Sequence, residues 1–591
     1  MAEYLSPGVY VEEFDAGIKA MEGVGTSTAG FIGMAQKGPV SGMPVLVTSM
    51  ADYTRRFGGY LSERAYGQMR FLPNAVEQYF NNGGSACYVM RVCKQVKTAG
   101  DVGDGGPEDG AAGAAGGLAA AMADAMLCLI LTPGEPGGGG NDIHAVLTPL
   151  MKCRTAITKA EKTDAGLTLA LQDASGFMEG DLVCIQSGQK DQPAVYNRIA
   201  EAEGNRLVLM WETADIADDA KAFLYLVEWN LAVRDETASE QYEGVSLHPD
   251  RDNFLEHAVQ KSWLVTAAAD LAQLAAGTLE ALFDGAQEPS ITLEFTGGSD
   301  GKIEFSASLY IGQDGAPDAR TGLMAFKTVS DVSIMAVPGV SDVTVLSALV
   351  AHCEELGNRF AVLDMPLFHR DVTELQDFRE NFDSSYAAVY HPWLQCYDPL
   401  LKRNAFLPPS GSVAGIYART DITRGVHKAP ANEVVKSCTG LSLNYNEAEQ
   451  AKLNPKGVNL IRKIGGQGIR IWGARTCSND GNWKYINVRR LFIFIEESIR
   501  ANTNWAVFEP NDEMLWSRVE GTIRVFLTAQ WRNGALAGGT AEEAFFINIG
   551  KSTMTEDDIL NGRLICVIGV APVRPAEFVV FRITQKMEGA Q

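Results

Sequence analysis

Hydrophobic and polar positions alternate in two short segments, one near each end of the sequence. Near the start, Val9 and Val11 fall on one side of an extended chain, and Tyr10 and Glu12 fall on the other. This period of two residues is typical of a β-strand. Near the end, the segment 576–585 has the same pattern. A single strand at a chain terminus is not stable alone, so both segments are expected to pair with strands elsewhere.

Longer apolar runs predict alternating strands and helices. The first hundred residues predict a buried strand at 28–34, a strand at 45–48 followed by a helix capped by Ser49, a helix over 65–81 and a buried strand within 83–93. The same rhythm returns between residues 307 and 366. We therefore expect an α/β sheet that the chain leaves near residue 95 and later resumes.

The region between these two parts has a different composition. Residues 99–140 are rich in Gly and Ala, which predicts a loop or flexible linker. A phosphate-binding loop is the alternative, but no strand–GxGxxG–helix frame surrounds the glycines. From about 153 to 230, short alternating runs are separated by Gly, Asp and Asn, so a small inserted β-domain is expected there.

Two amphipathic helices are predicted near the C-terminal end. The apolar stripe of the first consists of Val488, Leu491, Phe492, Ile495 and Ile499, and the residues off this stripe are Arg489, Arg490, Glu496 and Glu497. The stripe of the second consists of Leu515, Val519, Ile523 and Phe526, with Gly534 as a C-cap. The run RLICVIGVAPV (563–573) then predicts a strand.

The length and net charge of the chain limit the classes of function that are possible. A chain of 591 residues is too long for one core, which predicts three or four domains. The net charge of −23 argues against nucleic acid or an anionic membrane surface as the main partner. No apolar run reaches the roughly 18 residues that span a bilayer, and no secretory signal is recognisable, so no membrane insertion is expected. The ten cysteines contain no C-x-x-C pair and are expected to be buried thiols in a reducing cytoplasm.

One part of the chain departs from the acidic balance. Residues 401–530 carry eighteen Lys and Arg against eleven Asp and Glu. A basic segment in an acidic protein is expected on a face that meets an acidic partner. A set of locally paired surface charges is the alternative.

Motifs of enzyme active sites are nearly absent. The segments 297–302 (GGSDGK) and 550–553 (GKST) each resemble part of a P-loop but lack its first glycine, and both are interpreted as turns. His352 belongs to an H-x-E triplet without the P-C-x-x-C of a zinc deaminase and is interpreted as structural. Asp364 ends an apolar strand, where an α/β enzyme can place a catalytic acid, but a capping carboxylate is favoured because no partner base or nucleophile is visible. We predict no enzyme activity, no cofactor and no metal site.

Several motifs, in order along the chain, resemble those of one family. They are EYLSPGVYVEE, TSTAGFIGMAQKGPV, FTGGSDG (295–301), TGLMAFKTVSDVSIMAVPGV, RFAVLDMP, IWGARTCSNDGNWKYINVRRLFIFIEESI, VFEPNDEMLW and APVRPAEFVVFRI. Together they resemble the contractile tail sheath proteins of myophage tails, R-type tailocins and extracellular contractile injection systems. The resemblance covers residues 1–95 and 295–591 well and is looser between them.

The resemblance implies an α/β (α+β) multidomain subunit, with a conserved core built from N- and C-terminal parts and a β-rich insertion. The expected divisions are an N-terminal arm (1–20), the first part of the core (21–95), a Gly/Ala-rich linker and start of the insertion (96–150), a small β-domain (151–232), the rest of the outer insertion (233–320), an α/β sheath domain (321–480), an inner, tube-facing domain (481–574) and a C-terminal arm (575–591).

The family also implies a role for the two terminal strands. Such arms leave the subunit and add strands to sheets of neighbouring subunits, where each main-chain hydrogen bond is worth ~1 kcal/mol net and alternate side chains fix the register. Joints at 15–17 and near Pro575 are expected to let subunits rotate. The implied arm residues are Tyr4, Leu5, Val9, Tyr10, Val11, Phe14, Phe578, Val579, Val580, Phe581 and Ile583.

The implied function is structural. Subunits polymerise in helically stacked six-fold rings around an inner tube, then contract from a metastable extended state and drive the tube through a target envelope. The implied partners are further copies of the chain, the tube protein, and baseplate and terminator or cap proteins; nothing in the sequence indicates the AAA+ ATPase that recycles some sheaths. Assembly is expected in the bacterial cytoplasm, as part of a virion tail or of a released or envelope-attached particle. A related non-contractile shell or tail-cap protein is the alternative.

In this family the C-terminal domain lies innermost and touches the tube. The basic bias of 401–530 falls in that region, so Arg489 and Arg490, with Arg500 or Lys484, are expected to face an acidic tube surface. The alternative is that these arginines pair with Glu496 and Glu497 on the same helix.

Overall fold

The chain folds into two compact units. The computed structural model describes residues 21–93, 117–118, 129–133, 143–163, 166–187, 194–211, 222–235, 238–262, 264–269, 274, 276–277, 279, 283, 289–296 and 304–578. Of these, residues within 1–32, 74–89 and 326–591 form the first unit, and residues within 33–73 and 90–325 form the second. No helix in these ranges is both long and apolar enough to cross a membrane.

Seven strands of the first unit lie in one sheet. Their order across the sheet is Cys87–Arg91, Ala29–Gly33, Ile334–Ala336, Phe360–Asp364, Ala387–His391, Val458–Ile464 and Gly468–Ile471. The pairs from Ala29–Gly33 to Val458–Ile464 are parallel and the last pair is antiparallel. Ala29 is aligned with Ile334, which confirms that the chain resumes a sheet that it left more than two hundred residues earlier.

The apolar runs explain why these strands are central. Ala29–Gly33, Phe360–Asp364 and Ala387–His391 are buried at every position, as expected of parallel strands covered on both faces. The helices and 3₁₀ turns that belong wholly or mainly to this unit are Leu72–Asn81, Val343–Leu356, Val372–Glu380, Ser410–Arg424, Glu447–Leu453, Asn454–Lys456, Ile486–Asn502, Asn504–Ala506, Glu513–Arg532, Ala541–Ala544 and Glu556–Leu560. The 3₁₀ turn Gly322–Thr328 has four residues in the second unit and three in the first. Two small sheets complete it: Arg403–Leu407, Leu394–Asp398 and Gly440–Leu441 form one, and Phe545–Ile549 with Cys566–Val570 forms the other.

The second unit is mainly antiparallel. Six of its strands close into a ring in the order Phe223–Arg234, Leu182–Gln186, Val195–Glu203, Arg206–Leu209, Gly166–Leu171 and His144–Thr163, because the first also pairs with the last. Leu169, Ile199, Leu207 and Leu224 fill its interior. The other elements are Val45–Val47, Met50–Phe57, Glu63–Tyr66, Gly67–Met69, Gly117–Leu118, Leu129–Pro133, Ser239–Val245, Leu255–Ala258, Val259–Lys261, Val265–Ala269, Ile291–Thr296 and Ala307–Ile311.

Most local predictions in the first hundred residues are confirmed. The helix Met50–Phe57 begins after Ser49, whose hydroxyl accepts the Asp52 N–H. The single helix predicted over 65–81 is wrong, because the chain forms Glu63–Tyr66 and Leu72–Asn81 with a 3₁₀ turn between them. Gly67, at φ +53°, accounts for the break, since this backbone conformation cannot continue an α-helix.

Candidate functional site

The C-terminal part of the first unit is a layer of two helices and a two-stranded sheet. The helix Glu513–Arg532 begins at Asp512, whose carboxylate accepts the Leu515 N–H at 2.9 Å. Its predicted apolar stripe is confirmed, since Leu515, Val519, Ile523 and Phe526 are all buried in one cluster. The inner face of the strand pair packs into the same cluster through Phe545 and Ile547. Within the part of the chain that the structure describes, this inner face of the sheet is the covered one.

Among the described residues, no third strand pairs with either edge of this strand pair, and its outer face is partly exposed. Phe546 is 53% exposed and Val567 45% exposed, on strands that each have one neighbour among the described residues. A side chain at Gly569 would meet the Phe546 ring at 2.2 Å, so the ring lies directly over this glycine. Strand edges with unpaired main-chain groups accept further strands. The arrangement can therefore accept an extended segment.

The chain just after residue 20 is fixed along the helix Ile486–Asn502. The Asn502 side-chain amide donates to the Glu22 carbonyl at 2.8 Å and accepts the Glu22 N–H at 3.4 Å. One turn earlier along the helix, the Ser498 hydroxyl accepts the Val24 N–H at 3.1 Å. The segment 21–28 therefore runs antiparallel to the helix and is held through its main-chain atoms.

A buried ion pair completes this attachment. The Arg490 guanidinium donates to both Asp421 carboxylate oxygens, at 2.9 and 2.6 Å, and to the Thr26 carbonyl at 2.9 Å. The Thr26 hydroxyl donates to Asp421 at 2.7 Å. The Arg490 and Asp421 side chains are only 3% and 4% exposed. Burial raises the pKa of Asp421, although Arg490 and Thr26 both favour its charged form.

The tube-facing prediction is wrong for Arg489 and Arg490 in this conformation, because both side chains are buried. The Arg489 guanidinium stacks on Trp483, 3.5 Å from the ring centre, and donates to the Ser385 hydroxyl at 2.9 Å. Burial lowers the pKa of Arg489. The physical reason for the error is that the first half of this helix is buried all round, so positions off the apolar stripe also face protein.

The two other predicted tube contacts are partly exposed. Arg500 is 61% exposed at its side chain and pairs with Glu497, three residues away, which is the local pairing considered as the alternative. The Lys484 side chain is 34% exposed, and its ammonium lies 3.5 Å from Glu577. Contact of Arg500 and Lys484 with a tube stays a prediction.

Glu577 holds the chain where the C-terminal segment begins. Its carboxylate accepts two bonds from Arg475, at 2.8 and 2.7 Å, one from the Asn454 amide at 2.7 Å and one from the Tyr485 hydroxyl at 3.1 Å. Burial acts to raise the pKa of Glu577, but the hydrogen bonds from Arg475 and Asn454 and the Arg475 charge outweigh it and lower the pKa to about 2. The carboxylate is therefore ionised and fixed at neutral pH.

These contacts flank Pro575, where a joint is expected, and the joint itself stays a prediction. The Val573 carbonyl accepts the Asn487 amide at 3.2 Å, and Glu577 is fixed as described, so Pro575 lies between two anchored residues. Of the predicted arm residues, Phe578 is 73% exposed. Tyr4, Leu5, Val9, Tyr10, Val11, Phe14, Val579, Val580, Phe581, Ile583 and the joint at 15–17 lie outside the described residues.

The enzyme-like features have structural roles. Asp364 is 1% exposed and accepts the Gly339 N–H at 3.0 Å, the Ser410 N–H at 2.8 Å and the Ser410 hydroxyl at 2.6 Å, which confirms the capping interpretation at the start of Ser410–Arg424. Burial raises its pKa to about 6. His352 is buried with Nε2 3.3 Å from the Arg359 guanidinium, and burial lowers its pKa to about 3.

Two further predictions concern the segments that resemble part of a P-loop and the cysteines. The segment 550–553 is a turn, as predicted, and 297–302 lies outside the described residues. Five of the nine described cysteines are buried and no disulfide joins any two of the nine, but Cys153 is exposed, contrary to the expectation of buried thiols. Among the described residues, no group of His, Cys, Asp and Glu is arranged to hold a metal ion.

Comparison with known proteins gives the family. Residues 312–477 match the model of the phage tail sheath protein central domain, and residues 478–586 match that of the phage tail sheath C-terminal domain. The chain belongs to the contractile tail sheath protein family. A putative prophage major tail sheath protein of Pseudomonas aeruginosa is 26% identical, over 47% of this chain and 73% of the relative. The tail sheath protein of Escherichia phage P2 is 25% identical, over 53% and 80%.

A solved structure agrees in fold. The sheath complex of an extracellular contractile injection system, PVC, in its contracted state has a TM-score of 0.52, with 20% sequence identity and coverage of 99% of each chain. Tail sheath proteins are structural, so the chain is a sheath subunit and not an enzyme.

Sequence reasoning missed the residues that fix the chain ends. Glu577 is a single carboxylate at the start of an apolar run, and Thr26 lies in a segment of small residues. The only signal for Glu577 was a charge where a strand pattern begins, and its partner Arg475 is 102 positions away. Asp421 likewise lies 69 positions from Arg490. No local pattern predicts such pairs.

Proposed function

We propose that this sheath subunit polymerises by strand exchange between copies of the chain. Residues 1–20 and 579–591, together with Phe578, act as arms, and the strand pair Phe545–Ile549 and Cys566–Val570 accepts them at its two edges. The observation that carries the proposal is the open strand pair, which exposes Phe546 and Val567 and has no third strand among the described residues. Each added strand gains main-chain hydrogen bonds worth ~1 kcal/mol apiece.

The assembly that follows is a stack of six-fold rings around an inner tube. A trigger at a baseplate releases the extended state, and the rings repack into a shorter and wider helix that drives the tube forward. The energy is stored at assembly, since a modest gain per subunit, multiplied over many subunits, supplies the work. Assembly takes place in the bacterial cytoplasm, and terminator or cap proteins close the far end.

Negative-stain electron microscopy of the purified full chain tests the proposal. The full chain is expected to form striated hollow tubes, and a variant that begins at Gly17 is expected to remain monomeric, because it lacks the N-terminal arm. If both remain monomeric, even with the tube protein present, the proposal fails. Single rings or short stacks would instead support a cap.

A matched pair of substitutions tests the acceptor sheet. Phe546→Asp places a charge on its outer face and is expected to prevent tube formation. Phe368→Asp changes a phenylalanine that is 70% exposed elsewhere in the first unit, and it is expected to leave tube formation unchanged. Normal tubes from both variants would exclude this strand pair as the acceptor.

A further inference from the structure

Both arm roots are attached to one helix. The N-terminal root, residues 21–28, contacts Ile486–Asn502 at Asn502, Ser498 and Arg490. The C-terminal root, residues 571–578, is bound at the start of the same helix, where Asn487 donates to the Val573 carbonyl. Tyr485, the residue before the helix, donates to Glu577. The N-terminal root therefore runs along the helix from its last turn at Asn502 to Arg490, and the C-terminal root is bound at its start.

The distance between the two attachment points is fixed by the helix. Seventeen residues at 1.5 Å per residue give a length of about 25 Å. The helix is itself firmly held, since Leu491 and Ser498 are fully buried. An α-helix of this length changes little in length when it is pulled, because every turn is closed by hydrogen bonds.

The two attachments use different chemistry. At Glu22, the Asn502 amide satisfies both main-chain groups, as a neighbouring strand would. A side chain at Gly23 would lie 2.6 Å from the Phe494 ring, so the root also passes tightly over the helix. At the other end Asn487 and Tyr485 bind the root to the start of the helix, and Glu577 is also held ionically by Arg475 and Lys484, which precede the helix. Hydrogen bonds to charged groups are the stronger kind.

We propose that Ile486–Asn502 is a strut that joins the two arms, so that a pull on one arm passes through this helix to the other. The inference rests on the proposed function, because it requires residues 1–20 and 579–591 to act as arms. The two roots, 21–28 and 571–578, then move with the helix as one body, and Pro575 is not a pivot. The spacing of the two roots within a subunit stays constant while the rings repack.

Hydrogen–deuterium exchange of the full-length chain tests each attachment separately. Glu577→Gln removes the charge and is expected to raise about tenfold the exchange rate of the Val573 amide, which donates to the Ala535 carbonyl at 3.2 Å, with no change within 21–28. Asn502→Ala is expected to do the reverse, with about a tenfold increase at 21–24. The matched controls, Glu556→Gln and Asn482→Ala, change exposed residues outside both roots and are expected to alter neither segment.

Cryo-electron microscopy of wild-type sheath in the extended and contracted states tests the strut itself. The distance between the Cα atoms of Glu22 and Ala576 is expected to be the same in both states. A changed distance, or anchor variants that leave exchange of their own root unaltered, would overturn the inference while tube formation still supported the proposed function. Failure of the wild-type chain to form tubes would refute the proposed function, and the exchange experiment on the monomer would still test the attachments.

Discussion

Two arginine–carboxylate pairs in the first unit have the same bond length but very different surroundings. Arg490 and Asp421 are 2.6 Å apart with side chains 3% and 4% exposed. Arg524 and Glu520 are also 2.6 Å apart, one turn apart on the helix Glu513–Arg532, with side chains 48% and 37% exposed. Burial, together with the second carboxylate bond and the Thr26 bond of Arg490, therefore separates the consequences of removing each arginine.

Substituting Arg490→Met should be costly. Among the described residues, Asp421 would retain the Thr26 hydroxyl as its one hydrogen-bond donor, in a position with almost no access to water. Breaking a buried pair by removing one partner costs about 3–5 kcal/mol, because the other charge is left uncompensated. The Thr26 carbonyl would also lose its donor. By contrast, Arg524→Met should cost about 0.3–0.5 kcal/mol, as is usual for an exposed pair one helical turn apart.

The measurement is urea unfolding of the full chain, followed by tryptophan fluorescence and evaluated for the transition of the first unit. Arg490→Met, Asp421→Asn and the double variant complete a cycle, in which the double variant is expected to cost about 2 kcal/mol less than the sum of the two singles. If Arg490→Met costs no more than Arg524→Met, the assignment of Arg490 as a structural ion-pair partner is wrong, and its tube contact would have to be reconsidered.

Three further predictions concern other parts of the chain. Burial raises the pKa of Asp364 from 3.8 to about 6, so its contribution to stability is present below about pH 4 and is lost as the pH rises through 6. Relative to the Asp364→Asn variant, the free energy of unfolding of the wild-type chain should fall by about 3 kcal/mol over this range. A difference between the two that does not change with pH would contradict the burial argument. Gly312→Ala should destabilise the second unit by about 3 kcal/mol or more in thermal unfolding, because the new Cβ would lie 1.9 Å from the Thr321 carbonyl oxygen, whereas Gly204→Ala, also at positive φ but in open space, should cost only about 1 kcal/mol. Arg500→Glu should weaken cosedimentation of assembled sheath with its tube at low salt and have no effect at high salt, and an effect independent of salt would exclude a screened surface contact.

The parts of the fold that could be predicted are those where local pattern and burial agree. The runs at 29–33 and 360–364 are apolar, and the sheet buries them on both faces. By contrast, the strand Phe545–Ile549 was not predicted, because it is short and carries Asn548 within it. This strand is stabilised by packing against the helix Glu513–Arg532. No local sequence pattern contains that contact, because the two segments are separate along the chain.

A proline shows a second limit of local reasoning. Pro149 lies inside the twenty-residue strand His144–Thr163, although proline is usually absent from the interior of a central strand. On one side it is aligned with Trp229. On the other side, the pairing with Ile291–Thr296 ends at Leu147, so no ladder bond from residue 149 is needed there. The exception is decided by where a neighbouring strand stops, which the sequence does not reveal.

The basic excess of residues 401–530 was interpreted as a face for an acidic partner, but a net count of charges does not locate them. Several of the cations already have carboxylate partners within the first unit, and some are deeply buried. They include Arg475 with Glu577, Arg490 with Asp421, Lys428 with Glu433 and Arg500 with Glu497. An arginine that fixes an arm root cannot also be released to slide along a tube. Any contact of this region with a tube would therefore have to use exposed side chains whose local pairs are weak, which is why the predicted effect of Arg500→Glu depends on salt.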